Sequence, residues 1–328
     1  MELNKQLSKT CATARVYALI SIISAHISLP DTFAGDLFKR IASVGVITFM
    51  LLSGYFYNQS KYNTFFAMLK NKLVSVCIPW FALGTVVFAY DTVLGKKPFS
   101  VLAYIKYIFG NGTYLYYMTV LMLCFMLFFF ASKIFSYVSI AVTVISLMLT
   151  AAGILTPIIE FLHITNYLNI LNWVGFFAVG QLLRNIDSSV LHSFLKRYRV
   201  IFIVAYNLIL AVLLLFKDFK TGYFTYFGFI YELLGAMAIF SVSTFDLTRF
   251  KFFLAVSNDS FSIYLVHIMF IALLNDFMSK WALTRILMPL GVIVTAMILF
   301  EIGKFIAEKI RLAALYRLLT GIRSKKYN

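Results

Sequence analysis

An arginine and a histidine within one apolar stretch are the residues of this sequence best suited to chemistry. Ten residues separate Arg15 from His26 in the segment RVYALISIISAH. In a helix that turns by about 100° per residue, eleven steps return both side chains to nearly one face, about 16 Å apart along the axis. The spacing therefore predicts a guanidinium near one end of the helix and an imidazole deeper inside, both facing a single chamber.

These two residue types suit a reaction on a phosphate-bearing substrate. A guanidinium binds phosphate through paired, charge-assisted hydrogen bonds. A neutral imidazole either takes a proton from a hydroxyl group or attacks a thioester itself. The structural alternative is a cation that anchors the helix at the membrane edge and a histidine that forms an interhelical hydrogen bond. Spacing alone leaves both interpretations open.

The composition places these residues in a membrane protein. Of the 328 residues, 62% are hydrophobic and 13% are charged, and the mean hydropathy is +0.89. A soluble domain carries about a quarter charged residues, so this chain lacks the charge needed to cover a water-exposed surface. We predict an all-α integral membrane protein, because lipid requires each backbone polar group to be satisfied within its own segment.

Hydrophobic stretches predict about ten transmembrane helices, since one crossing takes about 20 mostly apolar residues. The predicted spans are 13–30, 41–57, 73–92, 114–131, 135–155, 168–185, 199–216, 223–242, 260–275 and 283–308. The loops between them are short. Residues 1–328 are therefore expected to form a single membrane-embedded domain with no separate soluble domain.

The formal net charge of +16 fits cytoplasmic loops and anionic lipid headgroups better than nucleic acid, for which the sequence has no binding motif. With these ten spans, lysines and arginines fall on the side of the N-terminus about twice as often as on the other side, which predicts that both termini are cytoplasmic. The three cysteines, Cys11, Cys77 and Cys124, lie far apart. They indicate neither a disulfide framework nor a metal site.

Three phrases, in order along the chain, resemble the acyltransferase-3 family of membrane acyltransferases. The first is the pair Arg15 and His26, the second is FMLLSGYF at 49–56, and the third is SFSIYLVH at 260–267. Each phrase is a modest match by itself. Together, at the places usual for the family, they extend the resemblance over the whole chain.

The sequence also departs from the family pattern at three places. Ala12-Thr13-Ala14 precede Arg15 where the family often has an aspartate, and Lys72 and Ser75 precede Pro79 where it often has two arginines. Aromatic residues around Tyr116 and Tyr117 stand where a tryptophan is common. We interpret the chain as a divergent member in which one basic contact to the acyl donor is absent.

The resemblance implies a membrane O-acyltransferase of the bacterial cytoplasmic (inner) membrane, of the polysaccharide O-acetyltransferase type. Such a protein takes an acyl group, usually acetyl, from cytoplasmic acetyl-CoA or another acyl-CoA. It transfers the group to a hydroxyl of a cell-surface polysaccharide or its lipid-linked precursor. Arg15 and Lys72 would bind the donor, and His26 would be catalytic, as general base or as nucleophile. O-succinyl transfer is the alternative within the family.

The partners that this resemblance implies are the lipid bilayer and a glycan or lipid-linked glycan acceptor. A second acyltransferase or polysaccharide-assembly proteins join them if the transfer is completed elsewhere. Neither a metal nor nucleic acid is expected, since the sequence has no metal-binding or Walker-type motif.

Four further residues are weaker candidates for substrate binding. Ser53 either lines the chamber or, with Gly54, lets two helices approach closely. Tyr264 and His267, three residues apart on one helix face, either contact substrate or clamp neighbouring helices. Glu232 interrupts an apolar run, where a carboxylate needs a partner; we expect it to orient His26 or to bind sugar hydroxyls.

The main rival function is a transporter or flippase for a polysaccharide precursor. Many helices with scattered polar groups inside the membrane suit transport as well as catalysis. Two observations disfavour transport: the sequence shows no inverted-repeat halves, and it pairs an arginine at the cytoplasmic edge with a deep histidine.

Overall fold

The computed structural model describes residues 4–29, 32–215, 222–277 and 282–322. Within these ranges the chain is helical and contains no β-strand, which confirms the all-α prediction. The α-helices are α1 Lys5–Ala25, α2 Phe33–Ala42, α3 Gly45–Phe56, α4 Phe65–Lys72, α5 Ile78–Val93, α6 Val101–Ile108, α7 Tyr116–Phe129, α8 Lys133–Ala151, α9 Thr156–Phe161, α10 Val174–Arg184, α11 Ser188–Arg197, α12 Arg199–Leu215, α13 Gly228–Val242, α14 Lys251–Phe277, α15 Ala282–Lys309 and α16 Ala313–Thr320.

Five helical segments of the described chain are long and apolar enough to cross a membrane. They are Gly35–Phe56, Phe65–Val93, Lys133–Ala151, Lys251–Asn275 and Thr284–Lys309. A sixth arises if α11 and α12, which meet at 56°, count as one span, and α7, α10 and α13 are shorter apolar helices. The multi-pass membrane character is confirmed, whereas the number of ten spans and the cytoplasmic location of both termini stay predictions.

The first and ninth predicted spans begin earlier in the structure than expected. The first, expected at 13–30, is the helix Lys5–Ala25, and His26 is its C-terminal cap, with a backbone N–H bonded to the Ile23 carbonyl at 3.1 Å. The ninth, expected to begin at 260, begins at Lys251. Its earlier start brings the polar run 257–260 inside a helix, where hydropathy alone does not predict it.

Helices α1 and α14 begin on the same side of the bundle and run side by side. Near their N-terminal ends, the Lys9 Nζ atom lies 2.7 Å from the Asp246 Oδ2 atom. Burial alone would raise the pKa of Asp246, but hydrogen bonds from Lys9 and Thr248 outweigh it and hold the pKa below its ordinary value. The Asn4 amide also donates to the Ser188 hydroxyl at 3.0 Å. We call this side, which carries the start of α1 and the loops around Ser188 and Asp246, the N-terminal face.

The segment between α4 and α5 is a π-helical turn over Leu73–Cys77, followed by Pro79. Proline has no N–H, and its ring collides with the carbonyl four residues earlier, which disrupts an ordinary α-helical turn. The turn begins directly after Lys72, at the end of α4. It therefore fixes where the Lys72 side chain enters the bundle.

Helices α3 and α10 touch through glycines, because no side chain fits between them. A Cβ atom on Gly54 would lie 2.1 Å from the Phe177 carbonyl oxygen, and one on Gly180 would lie 2.2 Å from the Leu51 carbonyl oxygen. Both obstacles are backbone atoms, which cannot turn aside as a side chain can. The contact confirms the structural interpretation of Gly54.

Replacing Gly54 by alanine should therefore destabilise the protein. Overpacking of this kind costs about 1–3 kcal/mol, and we expect Gly54→Ala to lower the unfolding temperature of the purified protein by several degrees. Gly291→Ala is the matched control, since a Cβ there meets only the Leu274 Cδ1 atom at 3.5 Å. Equal unfolding temperatures for the two variants would contradict the close approach of α3 and α10.

Candidate functional site

Two small adjoining cavities lie on the side of the N-terminal face, with volumes of about 210 and 200 Å³. Arg15, Phe49 and Ser53 line both of them. The remaining residues of the first are Tyr117, Leu121, Ser257, Asn258, Ser260, Phe261 and Tyr264, and those of the second are Leu52, Phe56, Tyr57, Lys72 and Phe125. We call the two together the N-face cavities.

Aromatic rings hold both predicted donor-binding cations at the N-face cavities. The Arg15 guanidinium lies 4.7 Å from the Phe56 ring centre. The Lys72 Nζ atom lies 3.8 Å from the Phe125 ring centre and 5.6 Å from that of Tyr57. These are cation–π distances. Arg15 and Lys72 come from different helices, so the fold gathers two positive charges that lie far apart in the sequence.

The two roles that the sequence left open for Ser53 and Gly54 divide between the two residues. Its Oγ atom lies 3.1 Å from the Tyr117 hydroxyl and faces the N-face cavities. The adjacent Gly54 supplies the close approach to α10. The cavity-lining role therefore belongs to the serine and the packing role to the glycine.

A larger cavity of about 560 Å³ lies at the other ends of α1 and α5, and His26 lines it. We call it the far-face cavity. Its polar residues besides His26 are Asp91, Lys97, Thr113 and Thr165, and its tyrosines are Tyr107, Tyr114, Tyr116, Tyr167 and Tyr223. The aromatic wall is continuous: the Tyr116 ring lies 4.7 Å from that of Tyr167 and 5.6 Å from that of Trp173.

A layer of rings separates the N-face cavities from the far-face cavity. The Tyr264 hydroxyl donates to the Tyr114 carbonyl at 2.5 Å, and the Tyr114 hydroxyl donates to the Leu265 carbonyl at 2.6 Å. The Tyr117 ring lies 5.5 Å from that of Tyr264, which lines the N-face cavities, whereas Ile268, one helical turn later, lines the far-face cavity. We call the rings of Tyr114, Tyr117, Tyr264 and His267 the tyrosine layer.

The structure corrects the prediction that Arg15 and His26 face a single chamber. Arg15 lines the N-face cavities and His26 lines the far-face cavity, with the tyrosine layer between them. The helical spacing of the pair is as expected, but rings from α14 and from the start of α7 fill the space between the two cavities. The spacing within one helix does not reveal side chains that come from other helices. In this structure the two residues face two cavities.

Glu232 and His267, for each of which substrate contact was one of two predicted roles, line none of the three cavities. Each has an exposed fraction of 0%. Glu232 lies within electrostatic range of Tyr116, Tyr167 and Tyr223 but behind the cavity wall, and neither of its oxygens has a hydrogen bond of normal geometry within the described residues. Substrate contact by these two residues is therefore not available in this geometry. Tyr264, by contrast, lines the N-face cavities and also forms the clamp to Tyr114.

Several cavity residues are absent from the sequence-based prediction. On the N-terminal side they are Tyr117, Ser257, Asn258 and Ser260, and on the far side the wall of tyrosines with Asp91 and Lys97. The polar run SNDS at 257–260 carried a usable signal, since it interrupts apolar sequence just before the third family phrase. Among the tyrosines, Tyr116 and Tyr117 carried a signal, since they stand where the family often has a tryptophan. The others carried none, because the 20 tyrosines are scattered along the chain.

Comparison with known proteins agrees with the phrases noted in the sequence. The family model of the acyltransferase domain, Acyl_transf_3, matches residues 13–305. The chain belongs to this acyltransferase family. The match contains Arg15, Lys72, His26 and the tyrosine layer, so the two cavities lie within the acyltransferase domain. No curated protein and no solved structure matches the chain significantly.

Cysteine labelling tests the separation of the cavities. In a background without the three native cysteines, Asn258→Cys should react with a membrane-impermeant thiol reagent from the N-terminal face only, and Thr165→Cys from the far face only. Tyr264→Ala should let the reagent reach Asn258→Cys from both sides, because it removes a ring from the layer. Tyr137→Ala is the control, since Tyr137 is exposed on α8. Two-sided labelling with the layer intact would show that the cavities are continuous.

Proposed function

We propose that this acyltransferase is a membrane O-acyltransferase that transfers an acyl group, in the first place acetyl, from acyl-CoA to a sugar hydroxyl. The acceptor is a cell-surface polysaccharide or its lipid-linked precursor in the bacterial cytoplasmic membrane. The observation that carries the proposal is that the N-face cavities, with Arg15 and Lys72, and the far-face cavity, with His26, lie on opposite sides of the tyrosine layer.

The N-face cavities suit the donor. Arg15 and Lys72 offer positive charge for coenzyme A phosphates, and arginine adds paired hydrogen bonds. Volumes near 200 Å³ are smaller than the usual range for a whole ligand, about 300–1,000 Å³. A slender pantetheine arm therefore enters them more readily than the nucleotide, which stays at the face. Ser53 and Asn258 supply polar contacts along the wall.

The far-face cavity suits the acceptor. Its volume of about 560 Å³ accommodates one or more sugar rings, and tyrosine rings offer flat apolar faces with a hydroxyl at the edge. Asp91 on the same wall accepts hydrogen bonds from sugar hydroxyls. His26 lines this cavity, where its ring faces a hydroxyl bound there. The position fits a base better than it fits a residue that only packs.

The proposed reaction needs one proton acceptor. His26 takes the proton of the attacking hydroxyl, whose oxygen forms a bond to the thioester carbonyl carbon; the carbon–sulfur bond breaks, and the thiolate receives the proton from His26. The thioester reaches His26 only if the tyrosine layer parts, since Arg15 and His26 face different cavities. The alternative is an acyl-histidine intermediate, in which His26 itself attacks the thioester.

Acyl transfer in proteoliposomes tests the proposal. With acetyl-CoA labelled in its acetyl group and a lipid-linked glycan as acceptor, we expect the label on the glycan. His26→Asn should lower kcat at least about 100-fold, because a general base contributes that much or more. His163→Asn, which changes a histidine outside both cavities, should leave kcat unchanged.

The other outcomes of this assay are equally distinct. Label retained on the wild-type protein in the absence of acceptor, and lost in His26→Asn, indicates the acyl-histidine route. Turnover of succinyl-CoA without turnover of acetyl-CoA would show that the transferred group is succinyl and not acetyl. Glycan that crosses the vesicle membrane without consumption of either donor contradicts the proposal and favours a transporter.

The donor site predicts a selective rise in KM. Losing one charge-assisted hydrogen bond costs about 1.5–3 kcal/mol, which corresponds to a roughly 10- to 100-fold change in affinity. We expect Arg15→Gln and Lys72→Gln each to raise the KM for acetyl-CoA in this range and to leave the KM for the glycan unchanged. Arg197→Gln and Lys133→Gln remove exposed charges away from the cavities and are the matched controls. Equal effects in all four variants would rule out a specific donor site.

A further inference from the structure

His267 has one ring nitrogen whose role is fixed by a backbone carbonyl. Its Nδ1 atom lies 2.5 Å from the Tyr264 carbonyl oxygen. A carbonyl only accepts hydrogen bonds, so Nδ1 carries the proton and donates. The neutral ring therefore has its lone pair on Nε2. The carbonyl belongs to the residue three positions earlier in α14, so the helix itself sets the tautomer.

The other ring nitrogen of His267 is left without a partner in an apolar environment. Nε2 is buried and has no hydrogen-bond partner among the described residues. A buried acceptor of this kind costs about 1–3 kcal/mol when it is unsatisfied, and such atoms require an explanation. A charged ring would be costlier still, because no carboxylate is among its hydrogen-bond partners in the described chain.

The His26 ring lies beside the His267 ring and carries a nitrogen that can donate to this acceptor. The two imidazole centres are 5.1 Å apart, with the ring planes inclined by 50°. At this separation a modest rotation of His26 brings one of its nitrogens within hydrogen-bond distance of Nε2. Tyr114 and Tyr264 restrain the His267 ring, with centres 4.9 and 5.5 Å away. The His26 ring, by comparison, makes no hydrogen bond to any described residue and faces the open cavity.

We propose that His267 is a positioning residue that orients His26 by accepting a hydrogen bond from one His26 nitrogen at its own Nε2 atom. The inference rests on the proposed function. The hydrogen bond fixes the His26 tautomer, so that its second nitrogen presents a lone pair to the far-face cavity. When that nitrogen takes the hydroxyl proton, the resulting charge is stabilised through Nε2, because the Tyr264 carbonyl polarises the His267 ring. No proton moves to His267, and His26 returns its proton to the departing thiolate.

Two substitutions of unequal severity test this role in the acetyl-CoA assay. His267→Leu removes the acceptor and should lower kcat roughly 10- to 100-fold, the range seen when an orienting partner is lost, while both KM values change less than about twofold. His267→Gln keeps an acceptor near the Nε2 position and should recover most of the lost kcat. In a His26→Asn background, His267→Leu should cause no further loss, since residues that act as a unit are not additive.

A merely structural His267 would give a different pattern. Changes in both KM values, no recovery with glutamine, or an additive loss in the double variant would overturn the proposal. ¹⁵N NMR of histidine-labelled protein decides the tautomer without any activity: we expect a proton on Nδ1 of His267 and a shift of its Nε2 signal in His26→Asn. A proton on Nε2 would also overturn it. If the wild-type protein transfers no acyl group, the proposed function fails, and the NMR result still decides the pairing of the two histidines.

Discussion

The reciprocal hydrogen bonds between Tyr114 and α14 are the constraint on which the rest of the site depends. The Tyr264 hydroxyl donates to the Tyr114 carbonyl, and the Tyr114 hydroxyl donates to the Leu265 carbonyl. The start of α7 and the middle of α14 are therefore fixed together. Every ring that divides the two cavities is attached to one of these segments. The two hydroxyls are satisfied by the backbone carbonyls of Tyr114 and Leu265. Arg15 and His26, which lie on one helix, consequently face separate compartments.

The compartments differ in the chemistry that they offer, and the difference follows from which helix ends meet at each face. The cations of the N-face cavities come from the middle of α1 and from the end of α4, where Pro79 enforces a π-helical turn. The far-face cavity collects the C-terminal ends of α1 and α5 and the aromatic segments before α7 and α13. Arg15 and Lys72 thereby lie on one side of the layer, and the wall of tyrosines, with Asp91 and Lys97, lies on the other.

Much of the helical architecture was predictable, because hydropathy reports burial in lipid residue by residue. The Arg15–His26 spacing was also accessible, and the resemblance singled out Arg15, Lys72 and Ser53, which line the N-face cavities. Hydropathy failed where polar residues lie inside a helix. Because Ser257 and Asn258 are polar, the predicted span began at residue 260, whereas α14 begins at Lys251. Hydropathy also could not show that Tyr264 and Tyr114 close the space between Arg15 and His26, since that depends on contacts between segments about 150 positions apart and not on the local pattern. For the same reason, the sequence does not show that the Nε2 atom of His267 has no hydrogen-bond partner among the described residues.

A closed tyrosine layer is compatible with transfer across it, on energetic grounds. Opening it breaks two hydrogen bonds, each with a net value of about 0.5–1.5 kcal/mol. A ligand shifts such an equilibrium by its difference in affinity for the two states, so under the proposed function the acyl arm opens the layer through contacts that it makes only when the rings have parted. Under the proposed function, a layer that is closed at rest also keeps the thioester away from water on the far side until the acyl arm enters. The pair of hydrogen bonds is strong enough to order the rings at rest and weak enough to be displaced, as the proposed function requires.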